Sequence, residues 1–453
     1  MVSLLQLILT LLGLKVKERE LFMAAVTYSF IFSLVLTNGF ALLISRYLSD
    51  QIFDEAYDEI LPSLYGLITI CLIIGSICGG IFYAFSPLYF AFKCSAYLLF
   101  MELIVIWLLS VYISTFKDYM RIVKGFLLGL VVTIIFAVIF INFLPIESVL
   151  SCLVAMNIGM AVIIVDLLWY MRGFLASSQK NYFKFLSYFD KYPALFLIGL
   201  FYMIGIYVHN FVFWAGKYRV VLKNTYVYCP FYDVPSFYAM LTIVLGMVIF
   251  VVSIETAFYE KYKRYYTAVL GEGTLEDINR IKGEMYRVLV QELAAAMTLQ
   301  LIFTLFFMLA GIYLLPRIGF TENLLDMFKI LTLGSYGCIF MFIVILVLLY
   351  FDDRKGALYI SSVFMITNLI FTLITMMLGE SVYGFGFFLS TMLSLCLGLM
   401  RLLSYLKEIN YHTFCTQPIY QKKRIGYFTR LVKFLEGILV YDLGPKKEGR
   451  KDR

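Results

Sequence analysis

The chain has 453 residues, of which 62% are hydrophobic and only 15% charged, with a formal net charge of +7. A soluble domain lies nearer half apolar and a quarter charged, so this composition excludes a soluble globular protein and points to a lipid-embedded one. The basic excess falls in gaps between apolar runs and in the tail, where orientation and anionic lipid account for it better than nucleic acid does.

A bilayer core of about 30 Å takes about 20 apolar residues in a helix. The first run, Val2–Leu14, is too short to cross unaided, and it lacks the basic start and small-residue cleavage site of a signal peptide. Eleven longer runs follow, at 21–45, 62–86, 88–115, 123–144, 146–170, 190–214, 234–256, 289–315, 326–351, 357–378 and 381–405. Pro62, Pro87, Pro145, Pro193, Pro235 and Pro316 lie at or near their edges, where a missing N–H does least harm. Counted by alternate gaps, 28 of the 37 Lys and Arg residues share a side with the C-terminus and eight lie opposite, with Lys93 inside a span. The positive-inside rule then puts the C-terminus in the cytoplasm. Val2–Leu14 fits that topology as the outer part of an abbreviated first helix.

The gaps are mostly short. The outer gap Ala215–Asp233 is rich in Tyr and holds Cys229. The longest inner gap is 257–288, where Thr274-Leu275-Glu276-Asp277 starts a capped helix. In the tail segment 422–441, Ile425, Phe428, Leu431, Leu435, Ile438 and Leu439 share one helical face opposite Lys and Arg. That pattern suits an amphipathic helix lying on the inner leaflet, with a partner-binding helix as the competing reading.

No catalytic or metal-binding constellation stands out, no cofactor is called for, and the two histidines, His209 and His412, fall on opposite sides. Ionisable groups within spans are the better clue, since burying one in hydrocarbon is costly without a cavity or a partner. Glu102 lies near the middle of its span, facing either a polar pathway or a partner on another helix. Lys93 is nine residues away and about 180° round the helix, so the two do not pair, and snorkelling to the outer interface suits Lys93. Asn38, Asn157, Gln300 and Asn368 complete a set of pathway candidates. Arg46, Asp50, Asp166, Glu255 and Glu292, near inner span ends, are candidates for gating or for interfacial solvation.

Three runs together carry a resemblance. They are Tyr28-Ser29-Phe30-Ile31-Phe32-Ser33-Leu34 leading into Arg46-Tyr47-Leu48-Ser49-Asp50; Glu255-Thr256-Ala257-Phe258-Tyr259-Glu260-Lys261-Tyr262 with Tyr265-Tyr266; and Gly386-Phe387-Phe388-Leu389-Ser390 with Tyr411-His412-Thr413-Phe414. From about residue 20 to 414 the chain resembles the Pel exopolysaccharide exporter family, a branch of the multidrug/oligosaccharidyl-lipid/polysaccharide (MOP) flippases. The resemblance implies an all-α polytopic membrane protein of two six-helix lobes, 1–171 and 190–405, with a cytoplasmic inter-lobe loop at 172–189 and a basic tail at 406–453. It further implies alternating access to a central cavity and transport of a nascent or lipid-linked polysaccharide across the bacterial cytoplasmic membrane. The implied partners are membrane lipid, the polymer, a cytosolic glycosyltransferase and membrane scaffold proteins. Pel-type polymers carry amino sugars that can be cationic, which suits an acidic group such as Glu102. Two alternatives remain open: an ion-coupled exporter of small molecules or lipid-linked oligosaccharides from the same superfamily, and a membrane-embedded glycan polymerase or ligase. The latter needs a large outer loop with catalytic Arg and His, and Ala215–Asp233 is small for that.

Overall fold

A computed structural model of the chain describes residues 5, 16–143, 147–175, 181–244, 246, 248, 258–415 and 426–442. Among them the fold is all-α apart from one small hairpin. In hydrocarbon no water satisfies backbone N–H and C=O groups, so a crossing segment closes its own bonds as a helix. In chain order the helices are α1 (Val16–Phe53), α2 (Ile60–Ala84), α3 (Phe90–Thr115), α4 (Tyr119–Phe143), α5 (Ser148–Phe174), α6 (Ser187–Lys191) and α7 (Pro193–Trp214). After the hairpin come α8 (Pro230–Leu241), α9 (Tyr259–Thr267), α10 (Leu275–Leu314), α11 (Glu322–Tyr350), α12 (Arg354–Leu378), α13 (Phe385–Lys407), α14 (Ile409–Cys415) and α15 (Tyr427–Asp442).

Among the described residues, 10 helices are long and apolar enough to cross a membrane. They match all but one of the expected runs. The remaining run, 234–256, is described mainly at its start, where α8 begins at Pro230, so Pro235 lies inside a helix and not at its edge. The short run Val2–Leu14 falls outside the described residues except for Leu5.

Two helices are far longer than a bilayer requires. At 38 residues α1 is about 57 Å long, and at 40 residues α10 is about 60 Å long. The sequence separates the capped helix at Thr274 from the span at 289–315, whereas the structure runs both together as α10. The cap is present: Thr274 Oγ1 accepts from the Asp277 N–H at 3.2 Å, and the Asp277 carboxylate accepts from the Thr274 N–H at 3.3 Å. No Gly or Pro occurs between Glu284 and Ala310 to end the helix sooner.

Strands β1 (Val220–Leu222) and β2 (Tyr226–Tyr228) pair between α7 and α8. Their turn residues Lys223 and Asn224 both have positive φ, at 49° and 47°, the backbone of a tight I′-type hairpin.

The residues group into two compact units. One comprises 1–203, 221–227 and 421–453, the other 204–220 and 228–420, so the division falls within α7. In the first unit, α4 buries only Gly125, Gly129, Thr133 and Ala137, spaced by four along one edge. That edge meets α5 closely enough that a Cβ on Gly159 would stand 1.8 Å from Thr133 Oγ1 and 2.7 Å from the Gly129 carbonyl. Small residues permit this approach, and between lipid-embedded helices close packing replaces the hydrophobic effect. The other sides of α4 leave Leu127, Leu128, Val131 and Ile135 exposed, as suits contact with acyl chains. In the second unit α11 is the enclosed helix, packed by α8, α12 and α13.

Gly159→Leu is therefore expected to force α4 and α5 apart and to destabilise the protein by about 1–3 kcal/mol or more. A lowered melting temperature of the detergent-solubilised chain, with Gly173→Ala (nothing within 4 Å) unchanged, is the measurement.

Candidate functional site

The mid-span carboxyl lies in the first unit. Helix α3 packs against α1, α2 and α5, which leaves Glu102 only 8% exposed. Its Oε2 has no hydrogen-bond partner among the described residues. Ser95 stands seven residues earlier, about 20° from Glu102 around the helix. There Asn157 of α5 donates to the Ser95 carbonyl at 2.9 Å and to its Oγ at 3.0 Å. Asn157 is thus a link between α5 and α3, while Glu102 lacks such a link. Lys93 is half-buried in the first turn of α3. Asn38 is half-buried where α7 crosses α1; a Cβ on Gly199 would meet the Asn38 carbonyl at 2.3 Å.

Gln300 and Asn368 belong to the second unit, so the pathway candidates do not gather at one place within either unit. Gln300 donates to the Thr242 carbonyl at 3.0 Å and to Thr304 Oγ1 at 3.3 Å. Asn368 donates to the Gly205 carbonyl at 2.8 Å and accepts from Thr372 Oγ1 at 3.0 Å. Both are fully buried amides that bridge helices.

A second polar cluster was not singled out from the sequence. Asp233 of α8 accepts from Asn210 Nδ2, Trp214 Nε1 and the Cys229 N–H, each at 2.8 Å. Beside it, His209 Nδ1 and Tyr232 OH are 3.0 Å apart, and the imidazole lies 4.4 Å from the Phe387 ring. The readable signal was spacing: Asn210 and Trp214 are one turn apart, as are Cys229 and Asp233. Asp353 is a further buried carboxylate with no signature in the sequence. It caps α12 by accepting from the Gly356 N–H at 3.0 Å and takes two bonds from Arg401, at 2.7 Å from Nε and 3.1 Å from Nη2.

At the end of α1 the structure joins Arg46 and Asp50 to the segment that precedes α7. Arg46 Nε pairs with Asp50 Oδ1 at 3.2 Å, and Tyr188 donates to Asp50 Oδ2 at 2.9 Å. The Arg46 guanidinium lies 5.5 Å from the Tyr192 ring. Lys184 binds Glu59 at 2.5 Å, and the Tyr182 carbonyl sits so close to α2 that a Cβ on Gly66 would be 1.9 Å from it. Asp190 accepts from the Phe428 N–H at 3.2 Å and from the Thr429 N–H and Oγ1, both at 2.7 Å, and so caps the tail helix α15. The remaining gating candidates lie elsewhere. Asp166 pairs with Arg121 at 2.5 Å, Glu292 is half-buried on α10, and Glu255 is outside the described residues.

The family model described as "PelG: Putative exopolysaccharide Exporter (EPS-E)" matches residues 1–414. Among solved structures, the outward-facing conformation of a multidrug resistance MATE family transporter of the MOP superfamily is similar at 14% identity. It has a TM-score of 0.59, covering 90% of this chain and 92% of that one. The inward-facing conformation of such a transporter gives 14% identity and a TM-score of 0.53, over 86% and 91%. A MOP superfamily transporter from Pyrococcus furiosus gives 12% identity and a TM-score of 0.54, over 90% and 92%. At these identities the likeness is one of fold. No curated protein matches the chain.

Two outcomes are expected from this geometry. Burial pushes the Asp190 carboxyl up, but the hydrogen bonds from Thr429 and Phe428 outweigh it and hold the group below its usual range. The carboxylate's contribution to the tail's docking is then complete above the free-aspartate range and is lost as pH falls through the lowered value. The protection factors of the Phe428 and Thr429 amides, taken relative to the intrinsic exchange rate at each pH, should fall on acidification, and Asp190→Asn should lower them at neutral pH. Asp353→Ala, which removes a cap and a buried partner, should cost about 2–4 kcal/mol in thermal unfolding, more than Arg401→Ala.

Proposed function

The chain belongs to the PelG exopolysaccharide exporter family, and from that membership we propose that it carries a Pel-type, amino-sugar-containing polysaccharide across the cytoplasmic membrane by alternating access. Membership and fold make it a membrane transporter. The observation that carries the finer reading is the extent of the family match, which takes in every expected span and all three runs that bear the resemblance. The polymer arrives nascent or lipid-linked from a cytosolic glycosyltransferase, beside membrane scaffold proteins, and the C-terminus faces the cytoplasm. Two six-helix lobes rock about the substrate. The existence of related folds solved facing outward and inward supports that motion.

Glu102 is the pathway residue of this proposal. Asn157 Oδ1 and Gln300 Oε1 are likewise buried without a partner, but of these three only Glu102 can carry charge, and ionisable groups within a bilayer are retained where they serve transport. Asn157, Gln300 and Asn368 serve the same path indirectly, by fixing the helices that bear it.

Cells lacking the chain should lose surface polymer while their accumulation of small cationic drugs stays unchanged. Altered drug accumulation with normal polymer would transfer the function to the small-molecule reading. Glu102→Gln should cut secreted polymer several-fold at unchanged membrane abundance, and normal secretion would remove Glu102 from the pathway.

A further inference from the structure

The tail helix α15 has two sides that differ in what they touch. On one, Phe428 stacks against Phe189 with ring centroids 5.0 Å apart, Val432 is buried, and Asp190 caps the first turn. This is the face whose apolar residues the sequence assigns to lipid, and at Phe428 the structure sets it against protein. The cap positions the helix in depth as well, because Asp190 lies just before Pro193, where α7 starts its crossing. The start of α15 is therefore beside a point of membrane entry.

On the other side, Tyr427 is 75% and Phe434 65% exposed. Seven residues separate them, so they lie about 20° apart on one edge of the helix. Arg430 is exposed about 50° round the helix from that edge and Lys433 about 110° round in the same direction, and Lys422, Lys423 and Arg424 precede the helix in sequence. Two aromatic rings on one line with cations beside them match the interface of an anionic bilayer. Rings settle at the headgroup level there, and each basic side chain near the surface strengthens partitioning about fivefold. No carboxylate stands on this edge between Tyr427 and Leu435 to oppose it.

We propose that α15 rests on an anionic lipid surface along its Tyr427–Phe434 edge while Asp190 and Phe189 hold its opposite face on the protein. The helix is then a clip between the leaflet and the segment 184–191, which also holds Glu59 through Lys184 and Asp50 through Tyr188. The lipid composition of that leaflet bears directly on a segment bonded to the ends of α1 and α2.

Full-length protein carrying Phe434→Trp, placed in nanodiscs of phosphatidylcholine with or without phosphatidylglycerol, tests this by difference spectra against the unsubstituted chain. With phosphatidylglycerol the added indole should emit to the blue and be quenched by acyl-brominated lipid, more weakly in neutral discs and at high salt. Adding Arg430→Gln and Lys433→Gln should remove most of the anionic preference while the Phe428 and Thr429 amides stay protected, which separates lost lipid binding from lost folding. An indole that remains water-exposed in anionic discs overturns the proposal. If it becomes buried only in native membranes, the edge belongs to a protein partner. Equal quenching in neutral and anionic discs also overturns the electrostatic part.

Discussion

The structure depends on how closely helices can approach when lipid, and not water, is the alternative neighbour. In water apolar faces are driven together, but acyl chains solvate leucine as well as another helix does, so that force is missing here. What remains is close packing and hydrogen bonding. The α4–α5 contact shows the first, with Gly159 lodged against Thr133 and Gly129 where no Cβ fits. The amides of Asn157, Gln300 and Asn368 show the second, each given to a backbone carbonyl of another segment. With such contacts fixed, helices like α4 can leave nearly all their remaining surface to lipid.

The same constraint explains what the sequence made legible. Hydropathy marks spans because a crossing segment must be apolar and helical, and ten of the expected runs match crossing helices among the described residues. Helix ends outside the bilayer obey no such rule. Hydropathy therefore missed that α10 continues from Thr274 through the membrane without a break, and that α8 starts at Pro230. The hairpin at 220–228 is hidden for a similar reason, since its mark in a short Tyr-rich gap is the Lys223–Asn224 turn.

Side-chain roles were less legible than spans. A polar residue in a span reads alike from sequence whether it bridges helices or stands alone, because the difference lies in what a neighbouring helix offers. Asn157 and Glu102 are on helices in contact, yet Asn157 meets a serine and a carbonyl while the Glu102 Oε2 meets no donor. Asp233 was passed over for the opposite reason: at a span edge it resembles a solvated carboxylate, and only folding brings Asn210, Trp214 and the Cys229 N–H around it. Arg46 and Asp50 stand among the gating candidates because they lie near an inner span end, whereas their pairing with each other and the link to Tyr188 emerge only in the fold.

The segment before α7 gives those end-of-helix charges a common purpose. Glu59, Asp50 and Asp190 each bind it or bind from it, to Lys184, Tyr188 and the first turn of α15 respectively. The bonds of Asp50 and Asp190 lie at part-exposed helix ends, where water competes and each contributes modestly, whereas Glu59 is only 7% exposed beneath Lys184. The α4–α5 seam inside the bilayer is different: it has no exchangeable partner and no solvent to replace it. The close-packed seam and the part-exposed bonds of Asp50 and Asp190, which tie segment 184–191 to α1 and the tail, thus differ in how readily water can replace them. The rocking proposed for this chain requires both kinds of contact: seams that hold within a bundle and connections that can be remade.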